Sequence, residues 1–199
     1  MVQIVLATEN AGKVLEMREL LAELAADLVT PRQVGLNLKV REDGTTYAEN
    51  AALKARAHAA ASGKIALADD SGLEVDALHG EPGLYSARYA PGNAPSDADR
   101  RRYLLSRLQG SPRPWTAHFH CTVAIAVPDG GMFFAEGNCP GEIIPEERGE
   151  NGFGYDPIFL LTDLGLTMAE LSVEEKNQRS HRALAVKAAL PILKGLVGT

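Results

Sequence analysis

The 199-residue chain holds only two cysteines, Cys121 and Cys139. Two thiols at that spacing make no metal framework. One lies in an apolar run, where a buried thiol is the ordinary expectation, and the scarcity suits a reduced, cytoplasmic protein. Basic charge is also in short supply: 20 Lys and Arg against 26 Asp and Glu, a net charge of −6. A duplex-binding protein is more often basic, so nucleic acid is not an expected partner. An anionic ligand must instead meet a local group of lysines and arginines, or a metal. No apolar run is long enough to span a bilayer. Met1-Val2-Gln3 runs directly into a strand-like segment, so no secretory leader is expected. Internal repeats, low-complexity tracts and linker-like stretches are missing too. With 45% hydrophobic and 23% charged residues the chain can bury one sizeable core. One domain over residues 1–199, with a second lobe, is the expected organisation.

What the chain does hold is a series of short polar motifs set between regular elements. The central one is Ile65-Ala66-Leu67-Ala68-Asp69-Asp70-Ser71-Gly72. Its first four residues read as a buried strand, and the glycine reads as a turn. Two carboxylates therefore stand at the end of a core strand, where open α/β sheets place ligand-facing groups. Adjacent strand residues point to opposite faces, so only one of Asp69 and Asp70 can face a given site.

Before this strand, Val2 to Ala7 reads as a first strand, and Val14, Leu15, Met17, Leu20, Leu21 and Leu24 recur at helical spacing through about Ala26. The loop between them, Thr8-Glu9-Asn10-Ala11-Gly12-Lys13, opens a helix whose free N–H groups and dipole favour an anion. It lacks the Walker A spacing. Leu28 to Thr30 suggests a second strand. After the polar turn Arg41-Glu42-Asp43-Gly44, Thr45 or Thr46 caps an alanine-rich helix to about Ser62, with Thr46 and Glu49 matching a capping box. Asn50, Lys54 and His58 lie along one stripe of it.

After the central strand the chain is punctuated by Gly80, Pro82 and Gly83. Ser96 then caps a helix to about Gln109, whose arginines 100, 101, 102 and 107 read as a solvated face. From Trp115 the pattern has period two: a strand over 116–127, a turn at Pro128-Asp129-Gly130-Gly131, a returning strand over 132–137 and a further short strand over 141–145. In Arg148 to Phe159, glycines frame Phe153 and Tyr155, which suit a stacking wall for a base. Ser172 and Glu175 fit a capping box, and Lys176, Ser180, His181 and Arg182 gather cations and donors ahead of a last helix bent or ended near Pro191.

Acids together with lysines suggest a divalent ion bridging carboxylates to phosphates, and Mg²⁺ is the oxygen-preferring candidate. Aromatics with Arg and His suggest a base pocket. A nucleoside triphosphate uses all of these parts.

The motifs Thr8-Glu9-Asn10-Ala11-Gly12-Lys13, Glu49-Asn50-Ala51-Ala52-Leu53-Lys54-Ala55, Ala68-Asp69-Asp70-Ser71-Gly72-Leu73, Pro82-Gly83-Leu84-Tyr85-Ser86-Ala87-Arg88, Gly152-Phe153-Gly154-Tyr155-Asp156-Pro157 and Glu175-Lys176-Asn177 with Ser180-His181-Arg182 resemble, in order and spacing, the inosine triphosphate pyrophosphatase family. The resemblance implies an elongated two-lobed α/β protein around a long mixed sheet with flanking helices and a cleft between the lobes, forming a homodimer. It implies hydrolysis of ITP, dITP or XTP to the monophosphate and pyrophosphate with Mg²⁺. It makes Asp70 the general base and a metal contact, Glu42 the other metal carboxylate, and Asp69 a further candidate metal ligand. Thr8, Asn10 and Lys13 would hold the triphosphate with Lys54, within a substrate-binding stretch that also takes in Glu9, Ala11 and Gly12, and Ser71 would touch substrate. Phe153 would stack on the base, with Gly154, Tyr155, Asp156, Lys176, His181 and Arg182 reading or enclosing it. Where the family commonly has Thr-Gly-Asn, this chain has Thr8-Glu9-Asn10, so Glu9 is expected to face away from the phosphates. The alternatives are a septum-formation-inhibitor type of nucleotide pyrophosphatase, against which Phe153 and Ser180-His181-Arg182 argue, and a non-catalytic nucleotide-binding module, against which Asp70 with Lys13 argues.

Overall fold

In the computed structural model, residues 2–198 are described. The order of elements is β1 (Val2–Leu6), α1 (Ala11–Leu20), β2 (Ala26–Val29), α2 (Tyr47–Ser62), β3 (Ile65–Val75), α3 (Asp97–Leu108), β4 (Trp115–Ala126), β5 (Met132–Ile143), β6 (Phe159–Leu161), β7 (Leu166–Thr167), α4 (Val173–Arg179) and α5 (His181–Val197), with short 3₁₀ turns between. The strands form one mixed seven-stranded sheet in the order β2-β1-β3-β4-β5-β6-β7. β1 pairs in parallel with β2 and with β3, as helical crossovers require. β5, β6 and β7 are antiparallel neighbours.

The chain divides into two units. The first holds the residues up to Asp70, then Cys121–Gly137, then the segment from Arg182 onward; the second holds Ser71–His120 and Asn138–His181. β3, β4 and β5 each contribute residues to both.

In the first unit, alternation along the strands sorts the core into two faces. Ile4 and Leu6 of β1, Leu67 of β3 and Cys121, Val123 and Ile125 of β4 pack with Met17 and Leu21 from the α1 segment and Ala185, Val186, Ala189 and Leu193 of α5. Val5 and Ala7, Ala66 and Ala68, and Ala124 and Ala126 turn the other way, onto Ala51, Ala55 and Ala59 of α2. These three helical alanines are spaced by four, and all are buried. Methyl against methyl brings the helix axis close to the sheet. Thr46 caps this helix by accepting from the Glu49 N–H at 3.1 Å. The Glu49 carboxylate reaches back one residue further than a capping box does, to the Thr45 N–H at 2.6 Å.

In the second unit a separate core gathers Leu73 and Val75 of β3, Leu104 and Leu108 of α3, Ala117 and Phe119 of β4, Ile143 of β5 and Phe159 of β6. Both α3 and α4 begin with complete capping boxes, Ser96–Asp99 and Ser172–Glu175.

Four local expectations need correction. The turn expected at Gly72 is absent: β3 runs eleven residues from Ile65 to Val75, because Leu73 and Val75 beyond it are fully buried. Asp69 and Asp70 thus sit inside a strand, not at its end. α1 stops at Leu20, short of Ala26. The two strands expected over 132–145 are a single β5 through Gly141. There a Cβ would lie 2.4 Å from the Leu160 carbonyl oxygen, so glycine is what lets β6 come close. Finally, α5 continues past Pro191 to Val197.

Candidate active site

Strand alternation decides the fate of the two acids. Asp69 shares a face with Leu67 and turns toward α1 and α5; Asp70 shares a face with Ala66 and Ala68 and turns toward α2. Each meets a lysine delivered by that helix.

Asp69 is buried. Its Oδ2 accepts from Lys13 Nζ at 2.8 Å and from Arg182 Nε at 3.1 Å. Arg182 is also buried and donates from NH1 to Glu16 Oε2 at 2.5 Å. Burial alone would raise the Asp69 carboxyl pKa, but Lys13, Arg182 and Lys54 outweigh it and hold the group far below the usual carboxylate range. Burial likewise works against the Arg182 charge, and Asp69 and Glu16 overcome it. Cys121, on the same face of β4, is pushed up to about 12 by burial and by the negative Asp69, so it is an inert neutral thiol there.

On the other face, Lys54 Nζ lies 2.8 Å from Glu42 Oε2 and 3.6 Å from Asp70 Oδ1. Asn50, one turn earlier on α2, donates from Nδ2 to Asp70 Oδ2 at 3.1 Å and accepts from the Gly44 N–H at 2.9 Å. It ties the loop carrying Glu42 to the strand carrying Asp70. Gly44 has no room for more, since a Cβ would lie 2.7 Å from the Glu49 Cβ. Burial raises the Asp70 pKa above its ordinary value, against the pull of Lys54 and Asn50 and with the help of Glu42. Burial opposes the Lys54 charge, but Asp69, Asp70 and Glu42 leave its pKa raised.

The loop before α1 is pinned by two local hydrogen bonds. Asn10 caps the helix by accepting from the Lys13 N–H at 3.1 Å, and Thr8 Oγ1 accepts from the Asn10 N–H at 3.2 Å. Glu9, Asn10 and Ala11 are exposed, and Thr8, Gly12 and Lys13 are half-buried. Ser71 is half-buried on β3.

In the second unit, Phe153 and Tyr155 have different environments. Phe153 keeps 36% of its surface exposed, with Lys176 Nζ 5.0 Å from its ring centre. Tyr155 is buried and donates to the Ser86 carbonyl at 2.9 Å; burial raises its phenol pKa. Asp156 accepts from Lys176 Nζ at 2.9 Å and from the Phe153 N–H at 3.0 Å. Gly152 adopts φ +77°, and a Cβ on it would lie 2.1 Å from Asp156 Oδ2. Phe153 is thus the presented residue of this loop, while Tyr155, Asp156 and Lys176 fix its shape. His181 is buried and stacks on Phe119, ring centres 4.6 Å apart.

The structure therefore brings Lys13, Asp69 and Arg182 together, then Glu42, Lys54 and Asp70, and separately Phe153, Asp156 and Lys176. Expected as a reader of the base, Arg182 is anchored here on two carboxylates of the first unit, Asp69 and Glu16. Asp69, a candidate metal ligand on sequence, spends one oxygen on two cations. Glu16, which the sequence reading did not name, and Asn50, which it placed on a stripe with Lys54 without giving it a role, join these clusters. The signal for both was spacing: Asn50 stands four residues before Lys54, Glu16 three after Lys13.

An α/β sheet with lysine–carboxylate pairs on both faces of one strand, next to a helix-capping loop, has the charged groups that a polyanion ligand needs. The chain belongs to the Ham1 family, whose model matches residues 4–192. A dITP/XTP pyrophosphatase of Desulforamulus reducens is 49% identical over 195 residues, covering 98% of this chain and 96% of that protein. A dITP/XTP pyrophosphatase of Bacillus subtilis is 44% identical, with 98% of each chain covered. Among solved structures, a HAM1 protein from Coxiella burnetii superimposes with a TM-score of 0.88 at 39% identity over the whole of both chains. The Ham1 protein of Staphylococcus aureus gives 0.86 at 41% identity, covering 98% and 99%.

Proposed function

We propose that this chain is a nucleoside triphosphate pyrophosphatase acting on deaminated purine nucleotides, ITP, dITP and XTP, and releasing the monophosphate and pyrophosphate. The observation that carries the reading is the Lys54 ammonium set between the carboxylates of Glu42 and Asp70. That cluster pairs a cation for phosphate oxygens with a base of raised pKa, and Asn50 holds the base in one orientation.

Water attacks the α-phosphorus, the bond from that phosphorus to the bridging oxygen of the β-phosphate breaks, and pyrophosphate leaves. Asp70 takes the water's proton. Lys54 and Lys13 neutralise charge gathering on the phosphate oxygens. Thr8, Asn10, Ala11 and Gly12 supply hydroxyl, amide and backbone donors at the start of α1. Phe153 provides a face for the base, and the donors of Lys176 and His181 are assigned to the keto edge that distinguishes hypoxanthine and xanthine from adenine, while Arg182 stays committed to Asp69 and Glu16.

Among the described residues no group of three or more His, Cys, Asp or Glu stands ready to hold a metal. Two carboxylates sharing one ammonium nevertheless suit Mg²⁺, which commonly takes one or two carboxylates and completes its shell with substrate phosphates and water. Glu42 and Asp70 are the residues proposed to hold it. When bound, the ion supplies Lewis-acid neutralisation of phosphate charge. A cytoplasmic location and a homodimer are part of the same proposal. Among the described residues no helix is long and apolar enough to cross a membrane.

The test is pyrophosphate release from a panel of ITP, dITP, XTP, GTP, ATP and pyrimidine triphosphates, with and without Mg²⁺. Rapid release from the first three alone is expected. Asp70→Asn is expected to lower turnover by about 10³-fold or more while ITP binding persists. An active Asp70→Asn protein would remove the base assignment, and a preference for other nucleotides would favour the septum-formation-inhibitor type.

A further inference from the structure

The arginines of α3 read from sequence as a solvated face, yet two of them are largely covered and spend their donors on backbone. Arg101 keeps 12% of its side-chain surface exposed. It donates from NH1 to the Gly154 carbonyl at 2.8 Å and from NH2 to Glu147 Oε2 at 2.8 Å. Four residues earlier, Asp97 Oδ2 accepts from the Gly154 N–H at 2.6 Å. The spacing i, i+4 places both on one stripe of the helix. They hold the C=O and the N–H of one glycine, and so the two successive peptide groups that flank it, 53 and 57 residues away in sequence.

Gly154 lies between Phe153 and Tyr155 and adopts φ +64°. Its grip is braced from the helix side, because Asp97 is also paired with Arg100. Arg100 in turn donates to the carbonyls of Pro95, at 2.8 Å, and Ala87, at 3.0 Å. The 83–88 segment is tied back again by Tyr155, whose hydroxyl donates to the Ser86 carbonyl. A closed circuit results: α3 to Gly154, Tyr155 to Ser86, Ala87 to Arg100, and back to Asp97. Of the two aromatic residues that flank Gly154, Tyr155 is buried and Phe153 is exposed.

We propose that Asp97 and Arg101 are positioning residues for base recognition, clamping the peptide groups on both sides of Gly154 so that Phe153 is presented in one orientation to the purine of the substrate. This rests on the reading of the chain as a purine nucleotide pyrophosphatase. The two residues touch neither reacting atoms nor phosphate. Their loss releases the loop, so substrate must order it on binding, and the penalty falls on affinity and not on the chemical step.

The test assays the wild type, Asp97→Ala, Asp97→Asn, Arg101→Ala and Arg101→Gln for pyrophosphate release from ITP. IMP binding is measured by calorimetry, and folding by circular dichroism and melting temperature. Asp97→Ala and Arg101→Ala are expected to raise KM for ITP about tenfold, to weaken IMP binding by a similar factor, and to leave kcat within about twofold. Asp97→Asn keeps an oxygen acceptor for the Gly154 N–H and is expected to recover most of the lost affinity. A merely structural role would lower melting temperature and active fraction without moving KM or IMP affinity, and that result overturns the clamp. If the alanine variants do not fold, Arg101→Gln decides: unchanged KM and IMP affinity reject the proposal. A wild type inert toward ITP overturns the functional reading, and the clamp with it. An active wild type whose affinities survive every substitution overturns the clamp alone.

Discussion

The two units hold their functional side chains by different means. In the first, side chain holds side chain through charge: Lys13 and Arg182 on Asp69, and Lys54 on Glu42 and Asp70. In the second, backbone is held by side chain: Asp97 and Arg101 on the N–H and C=O of Gly154, Asp156 on the Phe153 N–H, Tyr155 on the Ser86 carbonyl, with the Lys176–Asp156 ion pair supporting the same loop. Under the proposed function the difference follows from what each unit would meet. A phosphate chain is recognised by charge, which is strong where water is excluded. A flat base is recognised by an aromatic face, and an aromatic face is only as useful as the loop that aims it. One unit places charges and the other places a surface.

That contrast can be broken, starting from its charged side. Lys54→Met removes the cation shared by two carboxylates, and a fall in kcat/KM of about 10³-fold is expected, read as pyrophosphate release from ITP. Asp69→Asn keeps the shape but leaves Lys13 and Arg182 without their shared counter-charge, and a loss of about 3–5 kcal/mol in denaturant unfolding at neutral pH is expected. The linkage sign agrees. The folded-state pKa of Asp69 is depressed, so its stability contribution is present above the ordinary carboxylate pKa and disappears as pH falls into the acid range. Wild type and Asp69→Asn should therefore converge in stability on acidification.

On the backbone side the expected effects are smaller and of another kind. Phe153→Ala is expected to raise KM for ITP by about tenfold, a contact of ~1–3 kcal/mol, with little change in kcat. Gly152→Ala places a methyl against Asp156 at a positive φ, so a similar KM increase together with a loss of about 1–2 kcal/mol in stability is expected. Smallest of all is Glu9→Gly. Glu9 is exposed, and a KM change under about twofold is expected; a many-fold gain would show that this carboxylate repels the substrate's phosphates.

Much of this was legible in sequence because it is local. Thr46, Ser96 and Ser172 are caps wherever their helices stand, since the hydrogen bond that makes a cap spans only three residues. The alternation that sends Asp69 and Asp70 to opposite faces is a property of any strand. The six motifs sufficed to suggest a family, and the chain belongs to it. The Arg182 partner, however, lies 113 residues away at Asp69 and 166 away at Glu16. The α3 arginines look like any solvated face until the 83–88 segment and the Gly154 loop of the same unit come to them.

What the sequence by itself determined, then, is most of the elements, though not β6 and β7, the caps, the divergence of the two acids and the inventory of charged and aromatic side chains. Tertiary structure alone decided that β3 passes through Gly72 instead of turning, that Asp69 serves two cations, and that α3 grips Gly154. The physical reason is common to all three. A buried charge or an extended glycine is stable only where distant parts of the chain exclude water and provide a partner, and no local preference encodes which distant part that is.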